Sequence, residues 1–562
     1  MNRHDHASQA HGHPAWRIWD NPVFRRYCRS RLRPRGLGVS LLVTLLLAGF
    51  IVALTHSIGV RGHASEVDAA RPAVIALLFL QGFILFILGT AQVAGGMTAE
   101  RDEGVIDYQR LSPMSPLAKT LGYLFGLPVR EHVMFMATLP FTAWSLWRGQ
   151  VEWRVWLPLY AIMLSSTLLY HFTGLLTGTV ARNRRWAFLA SIGLVFSLYT
   201  VIPQMANFGL VFFKYLTVTP VFRESLPGLL PVDAGALVRA GQTLAPTVKF
   251  FGLDFSEAVF TAFSQGGLIL TFVVMLCRKW RSAAAHLLEK TWAAGFFIWI
   301  QVLLLGNALP LIDPGDLFPS RGFSRMVRIM PDWRPKPEEA VLMSGIYGLV
   351  TLGLLFVLTG IITPSRDEQL RGWRRARKLG MKSLPATSDA ASSTGHTMVM
   401  ALAGAAGWFW FTRELVGSRW FPGQEVALSV FGFFAVVMLA CGLMFQALLE
   451  KSGGRALGLA GILVGVAPVM AGMVLGVISD PLIPTAVWLT GISPASMPFY
   501  AAGSLLPIAE LPAQAARALP RAFQFWLLVS AITAVWLVVR LRQSRRVMME
   551  EAADGGRNAA ER

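Results

Sequence analysis

Long apolar runs alternate with short polar or basic segments along the whole chain. A run of about 20 apolar residues is long enough to cross the hydrocarbon core of a bilayer as a helix. The pattern therefore predicts an all-α polytopic membrane protein with about 12 transmembrane helices. We place these spans at about 38–60, 73–96, 120–147, 154–180, 186–213, 256–277, 291–312, 341–363, 396–412, 426–448, 456–479 and 522–540.

The predicted spans fall into two halves that repeat one plan. Each half has five spans, then a long loop (about 214–255 and about 480–521), and then a sixth span that ends in a basic cluster. Such a recurrence is typical of parallel structural repeats. We therefore predict a cytoplasmic tail with an interfacial elbow helix at 1–36, a first six-helix domain at 37–285, a second six-helix domain at 286–545 and a cytoplasmic tail at 546–562.

Basic clusters predict the orientation of the chain, because cytoplasmic loops retain Lys and Arg. With the N-terminus in the cytoplasm, five clusters lie on the cytoplasmic side, at 25–35, 182–185, 278–281, 366–382 and 540–546. The loop that holds Arg321, Arg325, Arg328, Arg334 and Lys336 falls outside and breaks the rule. An even number of spans then places both termini in the cytoplasm.

The composition agrees with a membrane protein and indicates which kinds of partner to expect. The chain of 562 residues is 54% hydrophobic and 15% charged, whereas soluble domains carry about 25% charged residues. The net charge of +19 follows from basic clusters at span ends, so we expect a lipid bilayer and no nucleic acid as partner. The three cysteines, Cys28, Cys277 and Cys441, do not suggest a disulfide framework.

Two predicted spans have unusual features. The third contains Arg130, Glu131 and His132, which either lie at the interface, the favoured interpretation, or line a protected interior. The ninth is short, and its aromatic run 408–411 is typical of an aromatic belt at a membrane surface.

The N-terminal region predicts a short interfacial helix. Asp20 or Asn21 can cap this helix, with Pro22 at its first position. Val23 and Phe24 supply an apolar face, and many arginines would contact an anionic leaflet: Arg25, Arg26, Arg29, Arg31, Arg33 and Arg35. Before it, His4, His6, His11 and His13 lie in a polar tail, which we expect to be disordered and not to bind metal.

A dense patch of charge separates the second and third apolar runs. Its charged side chains cannot remain in lipid, where a central charge costs about 2.5–3.5 kcal/mol or more. They are Glu100, Arg101, Asp102, Glu103 and Asp107. We predict a short amphipathic helix along the membrane face, broken at Ser112 and Pro113, before the chain re-enters the bilayer.

The order of residues in this patch resembles the cytoplasmic coupling element of ABC-2 type transporter permeases. In that family an E-R-x-x-G-T segment precedes a small helix, an (S/T)-P-(L/M)-S motif and a Gly-Lys pair. The matching residues are Glu100, Arg101, Gly104, Ser112, Pro113, Met114 and Ser115. Val105 stands where Thr is usual, and Tyr123 stands where Lys is usual.

The N-terminal helix also resembles the elbow helix of these permeases, which begins with N-P-(V/I)-x-x-R. Tyr27 departs from the family pattern, which often has Glu there. The resemblance is clear over about 20–280 and faint beyond. It implies an elbow formed by Asn21, Pro22, Phe24, Arg25 and Arg26, and a coupling element formed by Glu100, Arg101, Asp102, Glu103, Gly104, Val105, Ile106, Leu111, Ser112, Pro113 and Ser115.

The resemblance further implies a permease subunit of an exporter in a bacterial cytoplasmic (inner) membrane. A separate ABC ATPase subunit would bind ATP and Mg²⁺ and dock on the coupling element. No Gly-Lys dipeptide, and hence no Walker A motif, occurs in this chain, so we expect no cofactor, metal or catalytic site of its own. The pore would form in a homodimer or in a pseudo-dimer within one chain.

Two other functions remain open at this point. An ion- or proton-coupled secondary transporter needs an ionisable residue at mid-membrane, for which His171 is the clearest candidate. A membrane-embedded enzyme acting on lipid or polymer would use acids of the outer loops, such as Asp233, Asp254 or Asp480.

Overall fold

The computed structural model describes residues 15–181, 183–241, 247–321, 333–381 and 383–560. The N-terminal histidines lie outside the described residues, as do Arg182, Lys382 and the loop arginines Arg325 and Arg328. The protein is about 80% helical and has the architecture of an all-α, multi-pass membrane protein.

The chain divides into two compact units. Unit 1 comprises Met1–Pro203, Phe213–Val248 and Leu253–Ala285, and unit 2 comprises Gln204–Phe212, Lys249–Gly252 and His286–Arg562. Among the described residues, two short strands, β1 (Thr247–Phe250) and β2 (Leu253–Ser256), pair with each other just before the last helix of unit 1.

The α-helices up to residue 285 are α1 (Pro22–Arg31), α2 (Pro34–Arg61), α3 (Glu66–Ala70), α4 (Pro72–Gly82), α5 (Thr90–Asp102), α6 (Val105–Leu111), α7 (Pro116–Gly126), α8 (Val129–Arg148), α9 (Trp153–Val180), α10 (Arg184–Thr200), α11 (Thr219–Leu229), α12 (Val232–Gly241) and α13 (Glu257–Arg281). A π-helical segment, Phe83–Gly89, joins α4 to α5. Short 3₁₀ segments lie at Ile18–Asp20, Ile202–Phe208 and Val211–Leu216.

The described α-helices of unit 2 are α14 (Lys290–Ala308), α15 (Pro337–Ile362), α16 (Arg366–Lys378), α17 (Thr394–Val416), α18 (Leu428–Ala460), α19 (Ala467–Ile478), α20 (Ile483–Thr490), α21 (Met497–Leu505) and α22 (Ala513–Ala560). Helix α18 is kinked at Gly453 and is followed by a π-helical segment, Gly461–Val466. Short 3₁₀ segments lie at Leu309–Leu311 and Asp480–Leu482.

Within the described residues, ten helical segments are long and apolar enough to cross a membrane, rather than the twelve predicted. They are Pro34–Arg61, Glu66–Asp102, Trp153–Val180, Arg184–Phe208, Glu257–Arg281, Lys290–Leu311, Pro337–Ile362, Leu428–Gly453, Gly461–Ile478 and Ala513–Val547. The two predicted spans without a counterpart in this set are the third and the ninth.

The third span, predicted as one helix over 120–147, is two helices. Helix α7 ends at Gly126 and α8 begins at Val129, with Pro128 between them. Proline has no N–H to donate, so the helical hydrogen-bond pattern is interrupted at this position, where the Pro128 backbone is not helical. Glu131, which the sequence placed at the interface or in a protected interior, has a buried side chain that pairs with Arg130 at 2.8 Å.

The ninth span is present as α17, but two of the four aromatic residues at 408–411 do not belong to an aromatic belt at a membrane surface. Trp408 and Phe411 are fully buried, because residues three apart share one face of a helix. The Trp408 ring stacks on Phe434 at 3.8 Å between centroids, and its indole N–H donates to the Ser344 carbonyl at 2.8 Å. Helix α17 therefore supplies core residues to unit 2, packing between α15 and α18.

We expect Trp408→Ala to lower the free energy of unfolding by about 3–5 kcal/mol, because it leaves a cavity and removes the indole hydrogen bond to α15. Trp410→Ala is the matched control, since the Trp410 side chain is 47% exposed, and should cost less than about 1 kcal/mol. Denaturation of the purified chain in detergent, followed by circular dichroism, measures both. Equal losses would contradict the assignment of Trp408 to the core.

Candidate functional site

The charged patch around Glu100 forms a tight turn between two helices. Helix α5 ends at Asp102, and Gly104 adopts a left-handed conformation with φ of +73°, which few other residues tolerate. Helix α6 follows for seven residues and ends at Leu111, with Ser112 as the capping residue. The Ser115 hydroxyl then accepts from the Ala118 N–H at 3.1 Å and caps α7.

Glu100 is the polar centre of this turn. Its Oε1 atom accepts from the Arg26 guanidinium at 2.6 Å and from the Tyr27 hydroxyl at 2.7 Å. Its Oε2 atom accepts from the Tyr123 hydroxyl at 3.1 Å. Because only 14% of the Glu100 side chain is exposed, these three donors replace most of its water. One carboxylate thus joins α5 to α1 and α7.

The surroundings of Glu100 fix the protonation of its partners. Burial, and next the hydrogen bond to Glu100, raise the pKa of Tyr27 well above its usual range. Burial, the largest single effect, would lower the pKa of Arg26, but the hydrogen bond to Glu100 and the charge interactions with Tyr27, Glu100 and Tyr123 together raise it. Tyr27 therefore keeps its proton and Arg26 its charge, so both remain donors to the carboxylate.

Helix α1 packs on the protein through its apolar face. Val23, Phe24 and Tyr27 are buried, which corrects the expectation that Phe24 contacts the membrane. The Asn21 side chain caps α1 by accepting from the Val23 and Phe24 N–H groups, and its amide donates to the Ala118 carbonyl at 2.6 Å. A side chain at Gly122 would stand 2.6 Å from the Asn21 oxygen, so this close approach requires glycine.

The opposite face of α1 remains basic. Pro22 begins the helix, and Arg25 pairs with Asp20 at 2.9 Å. Arg29 and Arg33 line the same open surface as Arg25. This face retains the positive charge that the elbow prediction requires. The apolar face of α1 packs on the protein and not on lipid.

Two arginines of the turn reach the carboxyl ends of other helices. Arg101 donates to the carbonyls of Gly178 and Thr179, at 3.3 and 3.1 Å, at the end of α9. Arg110 donates to the Lys279 carbonyl at 3.2 Å, near the end of α13. A positive charge is favourable at a helix carboxyl end, where carbonyls lack partners and the helix dipole is negative.

Lys119 completes the attachment of α6. Its ammonium group donates to the carbonyls of Arg110 and Ser112, at 3.3 and 3.1 Å, at the end of α6. Burial, and then the neighbouring Arg110 charge, lower the pKa of Lys119. Sequence reasoning did not single out Lys119, Arg110, Tyr27 or Tyr123 as members of the site.

The side chains of α6 divide into an inner and an outer set. Ile106 is buried in the core of unit 1, and Val105 is half-buried. Leu111 and Tyr108 are 84% and 73% exposed. Three residues apart, they lie on one face of the helix. The exposed residues Asp102, Glu103, Asp107 and Pro113 lie in or beside α6. Sequence reasoning missed Tyr108, although its i, i+3 spacing from Leu111 was a usable signal.

The residues of the alternative functions are placed as follows. His171 is fully buried, and its Nε2 atom lies 3.1 Å from the Leu85 carbonyl in the π-helical segment. The His132 ring is 5.5 Å away between centroids. Asp233, Asp254 and Asp480 are exposed. In the described part of the chain, no group of three or more His, Cys, Asp or Glu residues could hold a metal ion.

Comparison of this chain with protein-family models, curated proteins and solved structures finds no match.

We expect Glu100→Ala to lower the free energy of unfolding by about 2–3 kcal/mol, because it leaves three donors without their acceptor. Glu103→Ala is the matched control: it removes an exposed acid three residues away and should change stability by less than about 0.5 kcal/mol. Thermal unfolding of both variants in the same detergent makes the comparison. If the two variants lose equal stability, Glu100 is not the polar centre of the turn.

Proposed function

We propose that this protein is the membrane-spanning permease subunit of an ABC-2 type exporter in a bacterial cytoplasmic membrane. A separate ABC ATPase subunit, which binds ATP and Mg²⁺, would dock on α6 and the turns beside it. The order of residues from Glu100 to Ser115 and the multi-pass helical architecture support this proposal.

The observation that carries the proposal is the pair of exposed apolar side chains on α6. Tyr108 and Leu111 extend outward from a helix that is otherwise held by the protein, and the acids Glu103 and Asp107 flank them. Exposed aromatic and aliphatic side chains within a charged rim are characteristic of protein–protein contacts. An ATPase surface with an apolar groove and basic residues at its edge would complement this helix.

The attachment of α6 accounts for how force would pass to the membrane helices. Glu100, Arg101 and Arg110 connect the α5–α6 region to α1, α7, α9 and α13. A short helix fastened in this way moves with the ends of these helices when a partner displaces it. The candidate spans in unit 1 would then change their packing during the ATPase cycle.

The docking surface is tested by the double variant Tyr108→Ser/Leu111→Ser. We expect it to retain less than about a tenth of the ATPase subunit on co-purification, because hot-spot side chains each contribute about 2 kcal/mol or more. Affinity purification from the native cell in mild detergent, with quantitative mass spectrometry, measures the retained ATPase.

Leu379→Ser is the matched control, because Leu379 is 73% exposed and lies in unit 2 after α16. It should leave ATPase recovery unchanged. Recovery of no ATPase with the native chain, even after crosslinking, would contradict the proposed function. Recovery that is equal for native chain and double variant would remove α6 as the docking surface.

The transmission of force is tested separately at Arg101. We expect Arg101→Gln to keep the ATPase bound but to reduce by at least about half the ATP-dependent change in distance between spin labels at the ends of α9 and α13. The reason is that glutamine lacks the charge that holds the α9 carbonyls. Arg101→Lys, which keeps a cation near them, should retain most of the distance change. Full distance changes in the glutamine variant would contradict the lever role.

A further inference from the structure

We propose that unit 2 contains a binding site for the phosphate group of an anionic phospholipid. The site is a cavity of about 220 Å³ between α16, α18 and α22. Four basic side chains line it: Arg366, Lys451, Arg540 and Arg545. This inference stands apart from the proposed ATPase partner.

A buried carboxylate organises one wall of the cavity. The Glu450 side chain is 3% exposed and accepts two bonds from the Arg545 guanidinium, at 2.6 and 2.9 Å. Gln446 donates to its Oε1 atom at 3.0 Å and Gln369 to its Oε2 atom at 3.1 Å. Four bonds occupy the acceptor positions of this carboxylate. Glu450 therefore holds Arg545 in place and has little capacity for other cations.

The cavity consequently has an excess of positive charge. The residues that line it include four cations and one carboxylate, and that carboxylate is occupied by Arg545 and two glutamines, so it does not neutralise Lys451 or Arg540. Arg540 lies over the Trp536 ring, 4.7 Å from its centroid, a contact that orients the guanidinium without neutralising it. Arginine and lysine side chains that converge in this way suit a phosphate group.

Part of the cavity lining is apolar. Trp536, Leu537 and Leu541 of α22 line the cavity next to Arg540 on the same helix. The segment Ala513–Val547 is apolar enough to cross a membrane, and so is Leu428–Gly453 of α18. Lys451 and Arg540 thus lie near the ends of two such segments, where lipid headgroups are found.

The combination of basic and apolar lining residues distinguishes a lipid site from a site for a free anion. Inorganic phosphate uses only the basic side chains, whereas a phospholipid also places glycerol and acyl carbons against Trp536 and the leucines. Basic pockets between membrane helices bind anionic headgroups for this reason. The chemistry therefore favours an anionic phospholipid over a free phosphate ion.

The test compares retained lipid in the full-length chain by native mass spectrometry. The probes are phosphatidylglycerol, phosphatidylcholine and inorganic phosphate, each added at the same concentration to delipidated protein. We expect phosphatidylglycerol to bind at least about tenfold more tightly than either other probe. Equal affinity for phosphatidylcholine would overturn the site, and equal affinity for inorganic phosphate would overturn its assignment to a lipid.

The double variant Lys451→Gln/Arg540→Gln removes two cations and leaves the Glu450–Arg545 pair intact. We expect it to bind phosphatidylglycerol about 30-fold more weakly, since each basic side chain near an anionic lipid contributes about fivefold. The matched control is Arg542→Gln/Arg546→Gln, which removes two exposed cations of the same helix that do not line the cavity.

The control should weaken binding by no more than about twofold, and thermal unfolding of both double variants verifies that they fold. If both double variants weaken phosphatidylglycerol binding equally, binding depends on the overall surface charge and not on this cavity, which would overturn the proposal.

Discussion

The carboxylate of Glu100 is the interaction on which the proposed docking element depends. Removing a carboxylate from water costs several kcal/mol unless other groups donate to it. Here Arg26, Tyr27 and Tyr123 supply the donors, and they come from two other helices. The cost of burying the charge thus requires α1, α5 and α7 to remain together. The turn that carries α6 begins only four residues later, so its position follows from this assembly.

The two tyrosines are also positions where the chain departs from the ABC-2 pattern. Glu is frequent in that family at position 27 and Lys after Gly122, whereas this chain has Tyr27 and Tyr123. Their rings are 5.8 Å apart, and both hydroxyls donate to Glu100. Tyr123 also stacks on Trp280 at 5.2 Å, a contact to the end of α13. Tyr27 and Tyr123, which are far apart along the chain, therefore act together: both are uncharged aromatic donors to the buried carboxylate of Glu100.

Sequence reasoning predicted the multi-pass helical architecture because the length of an apolar run depends on local composition alone. It joined α7 and α8 because the apolar run continues through Pro128, and it did not weigh the backbone break that proline causes. It placed Ile106 at a partner surface because seven residues define a helix face poorly, and tertiary packing buries that side chain. The role of Arg101 was not predictable, since the carbonyls it binds lie 77 and 78 residues away.

The sequence Arg-Asp-Glu occurs once in each half of the chain, at 101–103 and at 366–368, and the two segments make different contacts. Arg101 donates to the carboxyl end of α9, whereas Glu368 takes part in the cap of its own helix with Ser365 and also lies 3.4 Å from the His286 ring. Both units nevertheless hold a largely buried carboxylate next to arginine, Glu100 in unit 1 and Glu450 in unit 2. At Glu100 the donors are one arginine and two tyrosines, so little charge remains to attract a ligand. At Glu450 one arginine and two glutamines satisfy the carboxylate while further cations line the same cavity. The free-energy cost of burying a carboxylate is therefore offset by different donors at Glu100 and at Glu450. Only the cavity at Glu450 keeps further cations that an anion can bind.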